Sequence, residues 1–362
     1  MKQRHDRTVI IQTFDNRSGK EERIKCQFCE RTCDLTTGRS FCGMYMEENG
    51  RVLERYPDQW CTYNPSRIES VPFYHAYPGS RSMIIGTAGC NFRCRYCSNG
   101  FIACKDPADL QEVMYTIPAD RLVTMAKKMG CHNIVFNVNE PAVSLPSLER
   151  VKYYAQKEAF PMGCLTNGYT TEAATRMMME IFSFVHIGLK GFSNAFYHDF
   201  VGIPDMAPIL RNIRMFAQTC HVEIASPVIE DVNDHELFDI ARFIHDIRPD
   251  IPWHVFRLLP EHHMKESLYP NIDRMDQALE TSRKLLPYIY FHNFVGSRWV
   301  NTLCPDCGST VIKRFSLGCS GDRLDEFLAP DNTCPECGTA IPILGTRVAW
   351  NEKQSISWEA VP

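Results

Sequence analysis

RSMIIGTAGCNFRCRYCSNG, residues 81–100, decides how the rest of the chain is read. Its first six residues, Arg81–Gly86, are a short apolar run closed by glycine, the pattern of a strand covered on both faces. The chain then enters a loop that carries Cys90, Cys94 and Cys97, spaced by four and then three. Three thiols are one short of a closed tetrahedral zinc site, and one short of the four that usually hold an iron–sulfur cluster. A [4Fe–4S] cluster on three cysteines leaves one iron with an open position.

Downstream of this stretch, apolar runs alternate with helical patterns. Strands are expected over 132–137, 162–166, 184–189, 221–228 and 253–259, with helices over 118–129, 147–157, 171–182, 205–219 and 234–245. Thr171 is a candidate N-cap and Gly130 a helix stop. Six strands joined by helices or loops point to a parallel sheet with right-handed crossovers. The fold class expected is α/β, a partial (β/α)6 TIM-like barrel, with its chemistry at the C-terminal ends of the strands. Residues 1–80 are polar and cysteine-bearing, 81–295 hold the barrel, and 296–362 are built around two C-P-x-C-G units.

The totals exclude several function classes. Of 362 residues, 44% are hydrophobic and 23% charged, and the net charge of −4 gives no global reason to expect nucleic acid or an anionic membrane. No run of eighteen apolar residues exists, and MKQRHDRTVIIQTFDNRSGK at the start lacks the apolar core of a secretion signal. A cytoplasmic protein is expected. The seventeen cysteines fall mainly in three tight groups, at 26–42, 90–104 and 304–337, which argues for metal sites rather than disulfides. Cys131, Cys164 and Cys220 stand alone and read as buried small hydrophobes.

The loop C-x3-C-x2-C, with Tyr96 just before the last cysteine, resembles the signature of the radical S-adenosylmethionine (SAM) superfamily. In that family the amino and carboxylate groups of SAM chelate the open iron. One electron then cleaves SAM to methionine and a 5′-deoxyadenosyl radical, which abstracts a hydrogen atom. The likeness extends through NPSRIESVPFYHAYPGS, NVNEP, LTNGY, IGLKGF, NAFYHDFVG, VEIASPVIEDVND and IPWHVFRLLPEHHM. Together these look like the pyruvate formate-lyase activating enzyme branch, closest to the AmmeMemoRadiSam-system radical SAM subgroup. Two positions depart from it: Gly188 stands where an acidic residue often precedes LKGF, and Leu165 before TNG is apolar.

The resemblance implies a set of cofactor-binding positions. Asn139-Glu140-Pro141 stands in place of the family's Gly-Gly-Glu motif, whose carboxylate accepts hydrogen bonds from the SAM ammonium. The competing reading is a helix-capping pair ahead of a proline. Thr166 and Asn167 match a position that contacts SAM, though Asn-Gly is also a plain turn dipeptide. Lys190 at the end of the fourth strand suits the SAM carboxylate, or is a solvated surface lysine. Glu223, inside the fifth strand, is too costly to bury unpaired and should meet a ligand or cation. His254 and Arg257 are three apart and lie on opposite faces of the sixth strand. His254 is the SAM candidate, with a core histidine as the alternative. Tyr96 completes the cofactor set.

Two further cysteine sets can close their own metals. Cys304, Cys307, Cys334 and Cys337 form two C-P-x-C-G knuckles, the pattern of a zinc ribbon, with a rubredoxin-like iron site as rival. Cys26, Cys29, Cys33 and Cys42 give C-x2-C-x3-C-x8-C, suited to zinc or to a second [4Fe–4S] cluster. They lack the cysteine run of bacterial ferredoxins, which leans toward zinc. The function expected is a radical SAM enzyme of the oxidoreductase type with an unidentified small-molecule or protein substrate. An electron donor such as flavodoxin or ferredoxin is implied. The alternatives are an activase of a glycyl-radical enzyme, acting on a partner protein, and a non-catalytic zinc-ribbon binding protein.

Overall fold

The computed structural model describes residues 23–349 apart from 37, 266 and 268. The opening stretch read above for a secretion signal lies outside the described residues. The centre is an eight-stranded sheet of β1 (Thr62–Arg67), β2 (Arg81–Gly86), β3 (Asn133–Phe136), β4 (Met162–Thr166), β5 (Phe184–Gly188), β6 (His221–Val228), β7 (Trp253–Arg257) and β8 (Ile289–His292). Each strand lies beside its predecessor, and all pairs are parallel except β1 with β2.

Six of these strands fall where the sequence places them, and two were not expected. β1 contains Pro65, which a sequence reading takes as irregular. At the edge of the sheet the missing N–H costs little, so the proline is tolerated there. β8 is only four residues long and stands after an irregular stretch that breaks the strand–helix rhythm.

Helices α1 (Ala119–Lys128), α2 (Leu145–Lys157), α3 (Glu172–Ile181), α4 (Ala207–Phe216), α5 (Leu237–Ile247) and α6 (Ile272–Ser282) alternate with the parallel strands. Thr171 caps α3 as expected, accepting the Ala174 N–H at 3.2 Å. The main core holds Met83, Ile85, Ile134, Met162, Val185, Ile224 and Val255 of the strands together with Leu122, Leu148, Ile213 and Ile244 of the helices. Cys131, Cys164 and Cys220 are buried in it.

The opposite face of the sheet is concave. β5 and β7 are two strand spacings apart, about 9.6 Å in a flat sheet, yet the His186 and His254 rings approach to 5.0 Å. The chain's own segment before β2 fills one end of this hollow. Phe73 packs edge-on against Phe184 at 4.8 Å, and Tyr74 and His75 donate their backbone N–H groups to Glu223 at 2.9 Å. A C-terminal antiparallel sheet of β9 (Thr302–Leu303), β10 (Thr310–Ser316) and β11 (Asp322–Phe327) backs the same segment. From it Arg314 donates to the Tyr74 carbonyl at 2.8 Å, and Asp322 accepts the Tyr74 hydroxyl at 2.6 Å. Among the described residues, no helix is long and apolar enough to cross a membrane.

Candidate functional site

At the C-terminal ends of the strands the concave face opens into a cavity of about 360 Å³. Cys90, Cys94, Cys97 and Tyr96 of the loop after β2 line one side of it. Asn139 and Glu140 from the loop after β3, Thr166 and Asn167 at the end of β4, and Lys190 after β5 line the rest of the rim. The structure therefore brings six of the eight expected cofactor-binding residues and the three cluster cysteines to one place, with Glu223 and His254 as the exceptions discussed below.

Glu140 is the hinge of this rim. Its Oε1 accepts from the Thr166 hydroxyl at 2.8 Å and the Ala142 N–H at 3.2 Å, and its Oε2 accepts from the Asn167 N–H at 2.7 Å. It is thus both a cap for the turn 141–143 and a wall of the cavity, so the two readings of Asn139-Glu140-Pro141 do not exclude each other. Burial pushes its carboxyl up to about 7, against those donors and the nearby Lys190 ammonium, which pull it down. Asn139 clamps the cysteine loop: it accepts the Thr87 N–H at 3.1 Å and donates to the Ala88 and Gly89 carbonyls at 3.2 and 2.7 Å. Asn167 donates to the Asn91 side chain at 2.6 Å.

Lys190 reaches the cavity by folding back over Gly188. A Cβ at position 188 would lie 2.5 Å from the Lys190 Nζ. The residue that departs from the subgroup pattern is the one that makes room for the ammonium. Burial pushes the Cys94 thiol up to about 11, with Lys190 pulling it back. Burial and then Glu140 raise Cys90 further. Thiols this reluctant to ionise in water-poor surroundings give up their protons when a metal replaces them. The donor set of three sulfurs beside a carboxylate and an ammonium fits an iron–sulfur cluster together with a zwitterionic amino-acid ligand.

Glu223 and His254 face the hollow but do not line the cavity. Each lies two residues before one that does, Ala225 on β6 and Phe256 on β7, hence one pleat deeper. Glu223 finds four donors within the protein. It accepts from His254 Nε2 at 2.6 Å, His221 Nε2 at 3.0 Å and the two backbone N–H groups already described. Burial raises its carboxyl, but the hydrogen bonds and charge of His221 and His254 outweigh this and hold it well below the usual range. His254 continues to His292 at 2.9 Å, and His292 to Asp322 at 2.8 Å. Arg257, read as facing away, borders the cavity from the end of β7.

Two wall residues escaped the sequence reading. His186 is 2% exposed and lines the cavity, and its Nε2 has no hydrogen-bond partner among the described residues. A histidine amid FVHIG was the available signal. Val138, also in the wall, has φ of 83°, a left-handed conformation that is unfavourable for a β-branched residue. It bends the loop that carries Asn139 and Glu140, and its carbonyl is held by the Asn99 side chain at 3.0 Å.

Cys304, Cys307, Cys334 and Cys337 place their sulfurs within 4.8 Å of one another, and Cys304–Cys337 and Cys307–Cys334 approach to 3.5 and 3.6 Å. These gaps suit one tetrahedral ion, whose ligand sulfurs stand about 3.8 Å apart for bonds of about 2.3 Å.

An uncharacterized protein of Methanocaldococcus jannaschii is 25% identical over 332 residues, covering 90% of this chain and 96% of that one. Among solved structures, SuiB of Streptococcus suis aligns with a TM-score of 0.46 at 10% identity over 58% of this chain, which spans about half (49%) of SuiB. A domain of a pyruvate-formate lyase-activating enzyme from Bacteroides vulgatus aligns at 23% identity with a TM-score of 0.36, over 44% of this chain and 98% of that domain. Residues 84–244, which run from β2 through most of α5 and include the cysteine loop, Glu140 and Lys190, match the model of the Radical SAM superfamily.

Proposed function

We propose that the cavity is the active site of a radical SAM enzyme, with a [4Fe–4S] cluster on Cys90, Cys94 and Cys97, that abstracts a hydrogen atom from an unidentified substrate. The observation that carries this reading is the convergence of three thiols, Glu140 and Lys190 on one cavity at the C-terminal ends of parallel strands. When bound, the reduced cluster supplies the electron that splits SAM into methionine and a 5′-deoxyadenosyl radical.

The chain's own groups then have defined tasks. Glu140, already fixed by Thr166 and Asn167, presents an immobile carboxylate edge to the SAM ammonium. Lys190 offers its ammonium to the SAM carboxylate. Leu165, Ala225 and Phe256 form an apolar floor that keeps water from a reactive radical. We read the concave sheet as the partial barrel of this superfamily, and the motifs NVNEP, LTNGY and IGLKGF as those of the AmmeMemoRadiSam-system subgroup. We assign zinc to the C-terminal four cysteines and a flavodoxin- or ferredoxin-like protein as electron donor.

The test is anaerobic reconstitution with iron and sulfide, followed by SAM and dithionite. The expected product is 5′-deoxyadenosine, lost in Cys94→Ala. Iron-loaded protein that neither cleaves SAM nor shows a SAM-dependent change in its cluster EPR signal would overturn the reading.

A further inference from the structure

The four N-terminal cysteines converge without belonging to this cavity. Cys26, Cys29, Cys33 and Cys42 line one small hollow, with Phe28, Arg31, Tyr45 and Asn91 in its wall. Cys26, Cys29 and Cys42 are buried. The C-terminal sulfurs all lie within 4.8 Å of one another, whereas the N-terminal four form no such group among the described residues. A single tetrahedral ion draws its sulfurs to about 3.8 Å. A cubane cluster gives each thiolate its own iron, so the sulfurs face one centre from further apart. The N-terminal arrangement has the second character: one shared hollow, four thiols, wide spacing.

The hollow also abuts the active-site loop. Gly89, the residue before Cys90, lies so close to the Cys42 carbonyl that a Cβ there would sit 2.4 Å from the oxygen, and its φ of +76° favours glycine independently. Asn91 stands between the two cysteine sets. Its side chain lines the hollow of the four N-terminal cysteines, and its Oδ1 lies 3.8 Å from the Cys90 sulfur. Arg31 ties the two segments further, donating to the Asn91 carbonyl at 2.5 Å. A zinc ion here would be structural and indifferent to that contact; a redox centre would use it.

Resting on the reading of the cavity as the site of a reducible cluster, we propose that Cys26, Cys29, Cys33 and Cys42 hold a second [4Fe–4S] cluster that relays single electrons through the Asn91 contact. One electron leaves an external low-potential one-electron donor, reduces the N-terminal centre, and passes on to the centre at Cys90, Cys94 and Cys97. The N-terminal centre is reoxidised in that step, and no bond or proton is exchanged.

The experiment uses the full chain, expressed and purified without oxygen. In Cys90→Ala/Cys94→Ala/Cys97→Ala about four iron and four inorganic sulfide per chain remain, and dithionite elicits an S = 1/2 EPR signal. Adding Cys26→Ala/Cys29→Ala removes that iron and the signal. In the unsubstituted protein SAM perturbs about half of the Mössbauer iron spectrum and leaves the rest unchanged, a readout that needs no variant to fold. Zinc in place of iron in the triple variant, iron that cannot be reduced, or a SAM response from all of the iron would each overturn the proposal. If instead no iron in the unsubstituted protein responds to SAM while the triple variant keeps its reducible iron, the cavity reading fails and the relay is overturned with it, while the N-terminal cluster itself stands.

Discussion

Gly188 shows how one missing side chain can create a binding group. Its lack of a Cβ lets the Lys190 ammonium lie across β5 and into the cavity. Gly188→Ala should displace that ammonium and weaken SAM binding roughly tenfold, the loss expected for one charge-assisted hydrogen bond, in equilibrium binding to reconstituted protein. Lys190→Ala should match it. Glu223→Gln, by contrast, should leave SAM affinity unchanged, because Glu223 lies a pleat below the cavity. The cost of burying a lone carboxylate pointed Glu223 to the concave face, period two separated His254 from Arg257, and the family resemblance chose His254 between them. Depth along the strand is set by how far the hollow is filled from below. That filling comes from Tyr74 and His75, whose position no local pattern announces.

The segment carrying Phe73, Tyr74 and His75 has no regular structure of its own, yet it is held by a chain of buried polar groups. Glu223 accepts from His254 Nε2–H and Asp322 accepts from His292 Nδ1–H, which leaves one proton to be shared between His254 Nδ1 and His292 Nε2. Burial pushes the His254 imidazole down to about 4, against the opposing pull of Glu223. Long-range 1H–15N spectra should show His254 neutral and unchanged between pH 8 and 5.5; a titration near 6.5 would refute the assignment. Glu223→Ala leaves two backbone donors and two histidines without their acceptor and should cost about 3–5 kcal/mol in denaturant unfolding. Six of the seven parallel strands were readable because each is an apolar run bounded by loops. β1 and β8 were not, since a proline masks the first and the stretch after β7 breaks the strand–helix rhythm ahead of the second.

Across the molecule, the cysteine sets at both ends are built onto the sheet rather than strung beside it. The N-terminal set contacts the loops after β2 and β4 and helix α4: Arg31 donates to the Asn91 carbonyl, Thr171 donates to the Gln27 carbonyl at 2.6 Å, and Arg211 of α4 reaches Glu30 at 2.7 Å. The C-terminal unit places Arg314 and Asp322 beneath the concave floor. Cys304→Ser/Cys334→Ser should therefore release its metal and also lower the unfolding temperature of the sheet itself, seen as one shifted calorimetric transition. A separate low-temperature transition with the main one unmoved would show the unit to be independent. Cysteine spacing predicted these modules; their attachment depends on contacts between residues far apart in the chain. The Tyr74 hydroxyl and the Asp322 carboxylate that receives it are 248 residues apart. At synthesis rates of about 5–20 residues per second, on the order of 10–50 s separate their emergence from the ribosome. In the last part of that interval, once Glu223, His254 and then His292 have emerged, the base of the sheet lacks its cover, and the floor seals only when Arg314 and Asp322 arrive.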